Sequence, residues 1–249
     1  NVFTSFWYRT DPMISGETRL VHLDCAVGEI EKIYHTDIGL IADPKAGLIE
    51  LTKAIHQNMG SKQMETVNMR LSIIRQEKEK NKKRYAKQLK EVWDNSPMSV
   101  ERMMAELAEL LPGDAIVAEE AVTSRSAFLN AMDFDLPGSL YSIQGGGLGW
   151  AMGGALGIKL ACPDQPVVAV VGDGASMYTI QALWTAARYN LPVTYIICNN
   201  QNYKILKINM DIYLRDILKN PDRVSDYIAM DFPVPLNLAG ISEGFGVRG

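Results

Sequence analysis

Hydrophobic and polar residues follow two alternating periods along this chain, one typical of strands and one typical of helices. Apolar runs predict β-strands over residues 19–25, 38–42, 115–118, 140–143, 167–171 and 193–198. Helical periodicity predicts helices over residues 28–34, 45–55, 100–111, 124–132, 149–161 and 176–189. In the last of these helices one apolar stripe is predicted to contain Met177, Ile180, Leu183, Trp184 and Ala187.

The order of these segments predicts an α/β fold. The continuous apolar run at residues 167–171 is typical of a strand that is buried on both faces of a parallel sheet. Strands and helices alternate throughout residues 97–249, which predicts a doubly wound parallel sheet. The first half contains too few strands for a whole sheet, so we expect it to be part of a Rossmann-like central domain.

A polar stretch separates the two halves. Residues 75–84 carry lysine, arginine and glutamate on a helical background, and the mixed signs favour a solvated connecting helix over a basic binding surface. The predicted organisation is a partial central domain (1–58), a charged helical linker (59–96) and a cofactor domain (97–249). Because the chain starts at Asn1 and stops at Gly249 directly after an apolar stretch, we expect it to be a piece of a longer protein.

Composition and charge exclude several classes of protein. With 47% hydrophobic and 22% charged residues, the chain is globular rather than disordered. The net charge of −4 gives no reason to expect a nucleic-acid partner, and Lys159 interrupts the best candidate for a membrane span. Cys25, Cys162 and Cys198 are too few and too scattered for a disulfide framework, so a cytoplasmic location is expected.

Candidate chemistry follows the strand at residues 167–171. The next five residues are Gly172, Asp173, Gly174, Ala175 and Ser176, and they open a helix. Glycines let a phosphate approach the backbone, and free N–H groups at a helix start attract anions. A carboxylate beside a diphosphate is explained if a divalent metal ion such as Mg²⁺ bridges them.

The following strand ends in a second polar cluster. Asn199, Asn200, Gln201 and Asn202 follow residues 193–198, one helix and one strand after Asp173. The carboxyl ends of neighbouring parallel strands lie side by side, so the Asn200 side-chain oxygen and a loop carbonyl near Asn202 are candidates for the same metal ion. Each cluster alone is an ordinary turn, whereas the pair separated by one βα unit is far more specific.

These two clusters resemble the cofactor motif of a known superfamily. Gly172-Asp173-Gly174 followed by Asn199-Asn200 looks like the motif of thiamine diphosphate-dependent 2-keto acid decarboxylases and acetolactate synthase-like enzymes. Residues 142–150, with their Gly-Gly-Leu-Gly segment, and residues 181–192 are most similar to benzoylformate decarboxylase-like members. The resemblance covers residues 97–249 strongly and the first half more weakly.

The resemblance implies a cofactor site with named residues. Asp173, the Asn200 side chain and the Asn202 carbonyl would hold Mg²⁺. The other implied contacts to thiamine diphosphate are Thr123, Ser124, Gly146, Leu148, Gly172, Gly174, Ala175, Ser176 and Tyr203. Thr123 and Ser124 are equally well explained as the start of the following helix.

Gly146 and Leu148 are the catalytic positions that the resemblance implies. Leu148 would be an apolar wedge that bends the cofactor, and the Gly146 carbonyl would accept a hydrogen bond from its 4′-amino group. A plain core leucine is the competing interpretation of Leu148. Tyr203, Ile205, Leu206 and Asn209 follow the metal loop, where the family forms part of its substrate pocket, although helix packing explains Ile205 and Leu206 better.

The implied activity is decarboxylation of a 2-keto acid, or ligation of the resulting acyl carbanion, with the thiazolium ring as electron sink. The family also needs a glutamate from a separate pyrimidine-binding domain. Glu119 and Glu120 are predicted to follow a strand of the diphosphate-binding domain, so neither is assigned that role. The isolated chain is therefore expected to be inactive, and the family implies a homodimer or homotetramer.

Two other classes of function compete with this interpretation. A nicotinamide oxidoreductase would use the glycines at 145–149, but no window there satisfies G-x-G-x-x-G. A non-catalytic binding module would share the cofactor site without the chemistry.

Overall fold

The computed structural model describes residues 12–143, 145–220, 222 and 226–249, which divide into two units with the boundary between Lys83 and Arg84. In the first unit, β1 (Val21–Asp24) and β2 (Ile38–Ile41) form a parallel pair in which Val21 lies opposite Ile38. Helix α1 (Pro44–Asn58) begins where the Asp43 side chain accepts a hydrogen bond from the amide of Ala46. Such a side-chain cap satisfies a free helical donor and stabilises the start of a helix.

The charge run lies in one long helix. Helix α2 (Ser61–Val92) contains no buried residue and crosses the boundary between the two units. This is the solvated helix that the mixed charges at residues 75–84 predict. The three domain ranges 1–58, 59–96 and 97–249 remain a prediction, and residues 1–11 lie outside the described part of the chain.

The second unit contains the predicted doubly wound sheet. Its elements are α3 (Val100–Leu110), β3 (Ile116–Glu120), α4 (Arg125–Ala131), β4 (Leu140–Ser142), α5 (Trp150–Ala161), β5 (Val167–Gly172), α6 (Asp173–Ser176), α7 (Ala182–Tyr189), β6 (Val193–Cys198), α8 (Lys204–Ile212) and α9 (Leu238–Gly244). A π-helical turn, Tyr213–Ile217, continues α8. The four strands lie in the order β4-β3-β5-β6, and all three pairings are parallel. The α/β fold class and the parallel sheet are confirmed.

The sheet buries apolar side chains on both faces because neighbouring residues of a strand point to opposite sides. Val117, Val168 and Val170 pack on one face in a cluster that includes Phe128 of α4. Ala118, Val167, Ala169 and Val171 pack on the other face, against Ala151, Met152 and Ala155 of α5. Helices on both faces leave only the strand ends for polar chemistry.

Three local predictions are wrong. Residues 176–189 are not one helix, because α6 ends at Ser176 and α7 starts at Ala182. Met177 and Trp184, expected on a buried stripe, are 39% and 54% exposed. Residues 28–34 contain only the end of a 3₁₀ turn, Val27–Glu29.

A further error concerns the two glutamates. Glu119 and Glu120 do not follow a strand; they are the last two residues of β3, each 1% exposed. Charged side chains are rare inside a buried strand. A prediction based on apolar residues therefore ends this strand at residue 118, two residues before β3 ends.

Within the part of the chain that the structure describes, no helix is long and apolar enough to cross a membrane. The three cysteines are unpaired.

Candidate functional site

The carboxyl ends of all four strands lie along one edge of the sheet, because every pairing is parallel. The chain leaves β3 toward β4 and leaves β5 toward β6, in opposite directions from the middle of the sheet. Such a switch point opens a crevice, which is where doubly wound sheets bind ligands. The segments that border it are residues 121–124, the glycine loop (145–149), the Gly-Asp-Gly segment (172–176) and the asparagine loop (199–202).

Asp173 joins the ends of β5 and β6. Its side chain is 3% exposed, and its Oδ1 accepts a hydrogen bond of 2.7 Å from the amide of Gly174. Its Oδ2 accepts bonds of 3.1 and 2.7 Å from the amides of Asn200 and Gln201. The structure therefore brings the two predicted clusters together through this carboxylate.

The oxygens around Asp173 fit a hard divalent cation. A carboxylate has about four lone-pair sites, and three here accept backbone N–H groups, which leaves one for a further partner. The Asn200 Oδ1 accepts one bond, 3.0 Å from the Asn202 amide, and keeps its second lone pair. In the described structure the buried Oδ1 of Asn202 has no hydrogen-bond partner. Oxygen ligands, few carboxylates and a phosphate are the set that Mg²⁺ prefers.

In the described residues, no group of three His, Cys, Asp or Glu side chains surrounds Asp173 or any other position. The donor set is therefore limited to Asp173, side-chain amides and backbone carbonyls.

The Tyr203 side chain packs closely on Gly174, beside Asp173. A Cβ added at this glycine would lie 2.8 Å from a ring carbon of Tyr203, and that ring packs edge-on against Phe232 at 4.7 Å between centroids. The Ser176 hydroxyl, fully buried, donates to the carbonyl of Asp173 at 2.7 Å. Tyr203 therefore covers the backbone of the Gly-Asp-Gly segment, while Ser176 holds that segment in its turn.

Changing Gly174 to alanine is expected to displace the Tyr203 ring and to narrow the space beside Asp173. Because the ring is held by Phe232, we expect a loss of about tenfold in affinity for a diphosphate ligand in the presence of Mg²⁺. Calorimetric titration of the Gly174→Ala protein measures this loss, and Gly113→Ala, at a glycine with no atom within 4 Å, is the control. Equal affinities in the two variants would contradict the role of Gly174.

Thr123 and Ser124 lie where β3 leads into α4. Ser124 occupies the N-cap position of α4, as the alternative interpretation predicts, although its side chain makes no capping hydrogen bond. Its hydroxyl lies near the Cys198 thiol at the end of β6. Burial raises the pKa of that thiol to about 11, although the Ser124 contact lowers it. Ser124 thus borders the crevice from the β3 side.

The glycine loop projects from the sheet edge between β4 and α5. Gly145, Gly146 and Gly149 have φ angles of +71°, +79° and +88°, which side chains other than glycine rarely adopt. Residues 145–148 are exposed and Gly149 is buried. Leu148 is 43% exposed, so it is not a core leucine of this unit. The loop carries the two predicted catalytic positions, Gly146 and Leu148, at the mouth of the crevice.

Sequence reasoning did not find the roles of the two buried glutamates. Glu119 accepts a bond of 2.9 Å from the Ala121 amide and forms an ion pair with Arg125. Burial raises the pKa of Glu119, while the Ala121 amide and Arg125 lower it. Glu120 accepts bonds from the amides of Gly149 and Ala151. The signal in the sequence was a pair of carboxylates at the end of an apolar strand, which require partners when buried.

A second feature without a sequence signal covers the asparagine loop. The Tyr203 amide donates to the Met230 carbonyl at 2.8 Å, and the Phe232 amide donates to the Gln201 carbonyl at 2.8 Å. Asn202 and Asp231 form an isolated antiparallel bridge between these bonds. The loop is thus held from outside by residues 230–232.

The residues predicted near a substrate lie on α8 or just before it. Leu206 is 47% exposed, and the helix has no buried residue. The buried Oδ1 of Asn209 has no partner in the structure as described. Of this set, Tyr203 lies against Gly174 of the Gly-Asp-Gly segment.

The fold and the site together are those of a doubly wound α/β domain with its polar residues gathered at the switch point of the sheet. The profile described as "Thiamine pyrophosphate enzyme, C-terminal TPP binding domain" matches residues 121–249, which is more than half of the chain. The chain therefore belongs to the thiamine pyrophosphate (thiamine diphosphate) enzyme family. This membership sets aside the nicotinamide oxidoreductase.

Individual relatives agree with the family. The chain is 33% identical to benzoylformate decarboxylase of Pseudomonas aeruginosa over 156 residues, which cover 62% of the chain and 28% of that protein. It is 26% identical to the acetolactate synthase isozyme 3 large subunit of Escherichia coli over 189 residues, which cover 76% of the chain and 32% of that protein. The structure of a thiamine diphosphate-dependent 4-hydroxybenzoylformate decarboxylase from Rhodococcus jostii RHA1 matches with a TM-score of 0.69 and 26% identity, over 97% of this chain and 40% of that chain. The chain thus spans less than half the length of these relatives.

Proposed function

We propose that the chain holds thiamine diphosphate through Mg²⁺, as part of an enzyme that decarboxylates a 2-keto acid or ligates the resulting acyl carbanion. The observation that carries this proposal is the buried Asp173 carboxylate, which joins the Gly-Asp-Gly segment to the asparagine loop at the switch point of the sheet. Family membership supplies the cofactor, and the names of the bacterial relatives support a 2-keto acid as the class of substrate.

The proposed metal ligands are Asp173, the Asn200 side-chain oxygen and the backbone carbonyl of Asn202. Three backbone amides fix both oxygens of Asp173, so the carboxylate is preorganised and its remaining lone pair points in one direction. The diphosphate would lie against the backbone of Gly174 and Ala175, beside Ser176, Thr123 and Ser124. Bound metal would cancel part of the negative charge that Asp173 and the diphosphate bring together.

When bound, the thiazolium ring of the cofactor supplies an electron sink for cleavage of the bond to the departing carboxyl group. The task of the chain is to bind, orient and shield it. We assign orientation to the glycine loop, with the Gly146 carbonyl as the hydrogen-bond acceptor for the aminopyrimidine and Leu148 as the apolar support. The exposed side chain of Leu148 is available for such a contact.

A decarboxylase and a carboligase both cleave the carboxyl group from the 2-keto acid. They differ in whether a proton or a second substrate receives the acyl carbanion. The similarity to a decarboxylase and to an acetolactate synthase supports both fates. We propose that the site works in a homodimer or homotetramer, in which another subunit completes it.

Turnover by the 249-residue chain alone is expected to be absent. Both glutamates at the sheet edge are engaged, Glu119 with Arg125 and Glu120 with two backbone amides, so neither is free to activate a cofactor ring. The measurement is CO₂ release from a panel of 2-keto acids with thiamine diphosphate and Mg²⁺ present. Release above that of cofactor alone would show that an activating group lies within these residues.

Thermal unfolding tests the binding part of the proposal. Thiamine diphosphate should raise the unfolding temperature of the chain when Mg²⁺ is present and leave it unchanged in EDTA, since ligand binding to the folded state stabilises it. An equal shift in both buffers would contradict the metal-bridged site, and the absence of any shift would contradict cofactor binding.

A further inference from the structure

Glu120 ends the central strand β3 and reaches across the sheet edge to the start of α5. Its carboxylate oxygens lie 2.6 Å from the Gly149 amide and 2.8 Å from the Ala151 amide, and its side chain is 1% exposed. These amides are donors that the first turn of a helix leaves without a partner. A buried carboxylate is tolerated when such donors compensate it, and the positive end of the helix dipole adds to the stabilisation.

The same glycine is held from a second side. The Thr179 hydroxyl, which follows the Gly-Asp-Gly segment, donates to the Gly149 carbonyl at 2.6 Å. Gly149 is thus fixed at its amide by β3 and at its carbonyl by the chain that follows β5. The rest of the glycine loop, residues 145–148, is exposed. Its position therefore depends on this anchored end.

We propose that Glu120 is a positioning residue, which orients the glycine loop toward the organic part of the cofactor without touching that cofactor. The inference rests on the proposed function and adds to it a residue outside the diphosphate and metal contacts. Asp173 and the asparagine loop make no hydrogen bond to Glu120 among those the structure describes. Loss of Glu120 should therefore weaken recognition of the thiamine rings while it spares recognition of the diphosphate.

Glu119 is a matched control for a role in folding alone. It precedes Glu120 on β3, is equally buried at 1% exposed, and is compensated by one backbone amide and by an arginine. Its partners, Ala121 and Arg125, lie in the segment that leads into α4. The proposed diphosphate contacts Thr123 and Ser124 lie in residues 121–124. Any effect of Glu119→Gln on that segment would therefore lower the affinities for inorganic pyrophosphate and for thiamine diphosphate by the same factor.

The experiment compares Glu120→Gln and Glu119→Gln in the full 249-residue chain. Hydrogen exchange of residues 145–151 is measured first, and then the Mg²⁺-dependent affinities for thiamine diphosphate and for inorganic pyrophosphate. In Glu120→Gln we expect the Gly149 and Ala151 amides to exchange about tenfold faster, because the glutamine side chain points an N–H at one of these donors. Affinity for thiamine diphosphate should fall about tenfold, and affinity for pyrophosphate should stay within about twofold. Glu119→Gln should leave both the exchange and the ratio of the two affinities unchanged.

A second variant tests the same role if Glu120→Gln does not fold. Thr179→Val removes the hydroxyl from the other side of Gly149 at almost constant volume, and should shift the ratio of affinities in the same direction by a smaller factor. Equal loss of both ligands in Glu120→Gln, or the same shift in Glu119→Gln, would overturn the positioning role alone. A wild-type chain that binds neither ligand would overturn the proposed function, and the positioning role with it.

Discussion

Replacement of Asp173 by asparagine is expected to lower the Mg²⁺-dependent affinity for thiamine diphosphate by at least about a hundredfold. The amide has no charge to offer a metal ion. Its NH₂ group would also face the backbone donors of Gly174 or of Asn200 and Gln201, which now bond to the carboxylate. The variant should in addition lose about 1–3 kcal/mol of stability, because buried amides are left without acceptors.

Isothermal titration separates these two effects. The control is Asp164→Asn, which changes an exposed aspartate just before β5, at the opposite end of that strand from Asp173. We expect the control to bind thiamine diphosphate as the wild type does. If Asp173→Asn, measured at a temperature where it is folded, keeps wild-type affinity, then the metal assignment is wrong.

Gly149→Ala is expected to destabilise the second unit by about 2–4 kcal/mol. The φ angle of +88° disfavours any side chain at this position. A Cβ would lie 2.8 Å from the Thr179 Oγ1 and 2.9 Å from the Tyr178 Cβ, so the start of α5 must move away from the sheet edge. The two costs add, because the strain is in the backbone and the clash is with neighbouring side chains.

Gly153→Ala is the control in the same helix, and its expected change in stability has the opposite sign. Gly153 lies in the first turns of α5, with no atom within 4 Å of an added Cβ. Alanine there should stabilise the protein by about 0.5–1 kcal/mol, because glycine is a poor helix former. Urea denaturation measures both variants. A Gly149→Ala protein as stable as Gly153→Ala would show that Gly149 is not a constrained anchor.

The fold was predictable where burial alone decides the structure. The predicted strand at residues 193–198 is β6 as observed, and the predicted run at 167–171 differs from β5 only by Gly172. Both are continuous apolar runs that a parallel sheet buries on two sides. The meeting of Asp173 with the asparagine loop was predictable for the same reason, since parallel strands place their carboxyl ends together.

Contacts between distant polar residues were not predictable from local pattern. Glu120 was predicted to follow a strand and was given no structural role, because its partners lie 29 and 31 positions later in the chain. After Ser176 the chain continues in turns closed by bonds between residues three apart, and the Thr179 hydroxyl there bonds the Gly149 carbonyl, thirty positions earlier in the chain. Apolar spacing describes one face of a helix and carries no information about such bonds.

Direct titration of the wild-type chain with thiamine diphosphate, with Mg²⁺ and then with EDTA, tests the central claim most directly. Asp173, Asn200 and Asn202 lie at one edge of the sheet, with an unpaired buried oxygen on Asn202 in the described structure. We expect saturable binding of one cofactor per chain with Mg²⁺ and none in EDTA. Binding of equal strength in EDTA, or no binding in either buffer, would contradict a cofactor site built on this carboxylate and its neighbouring loop.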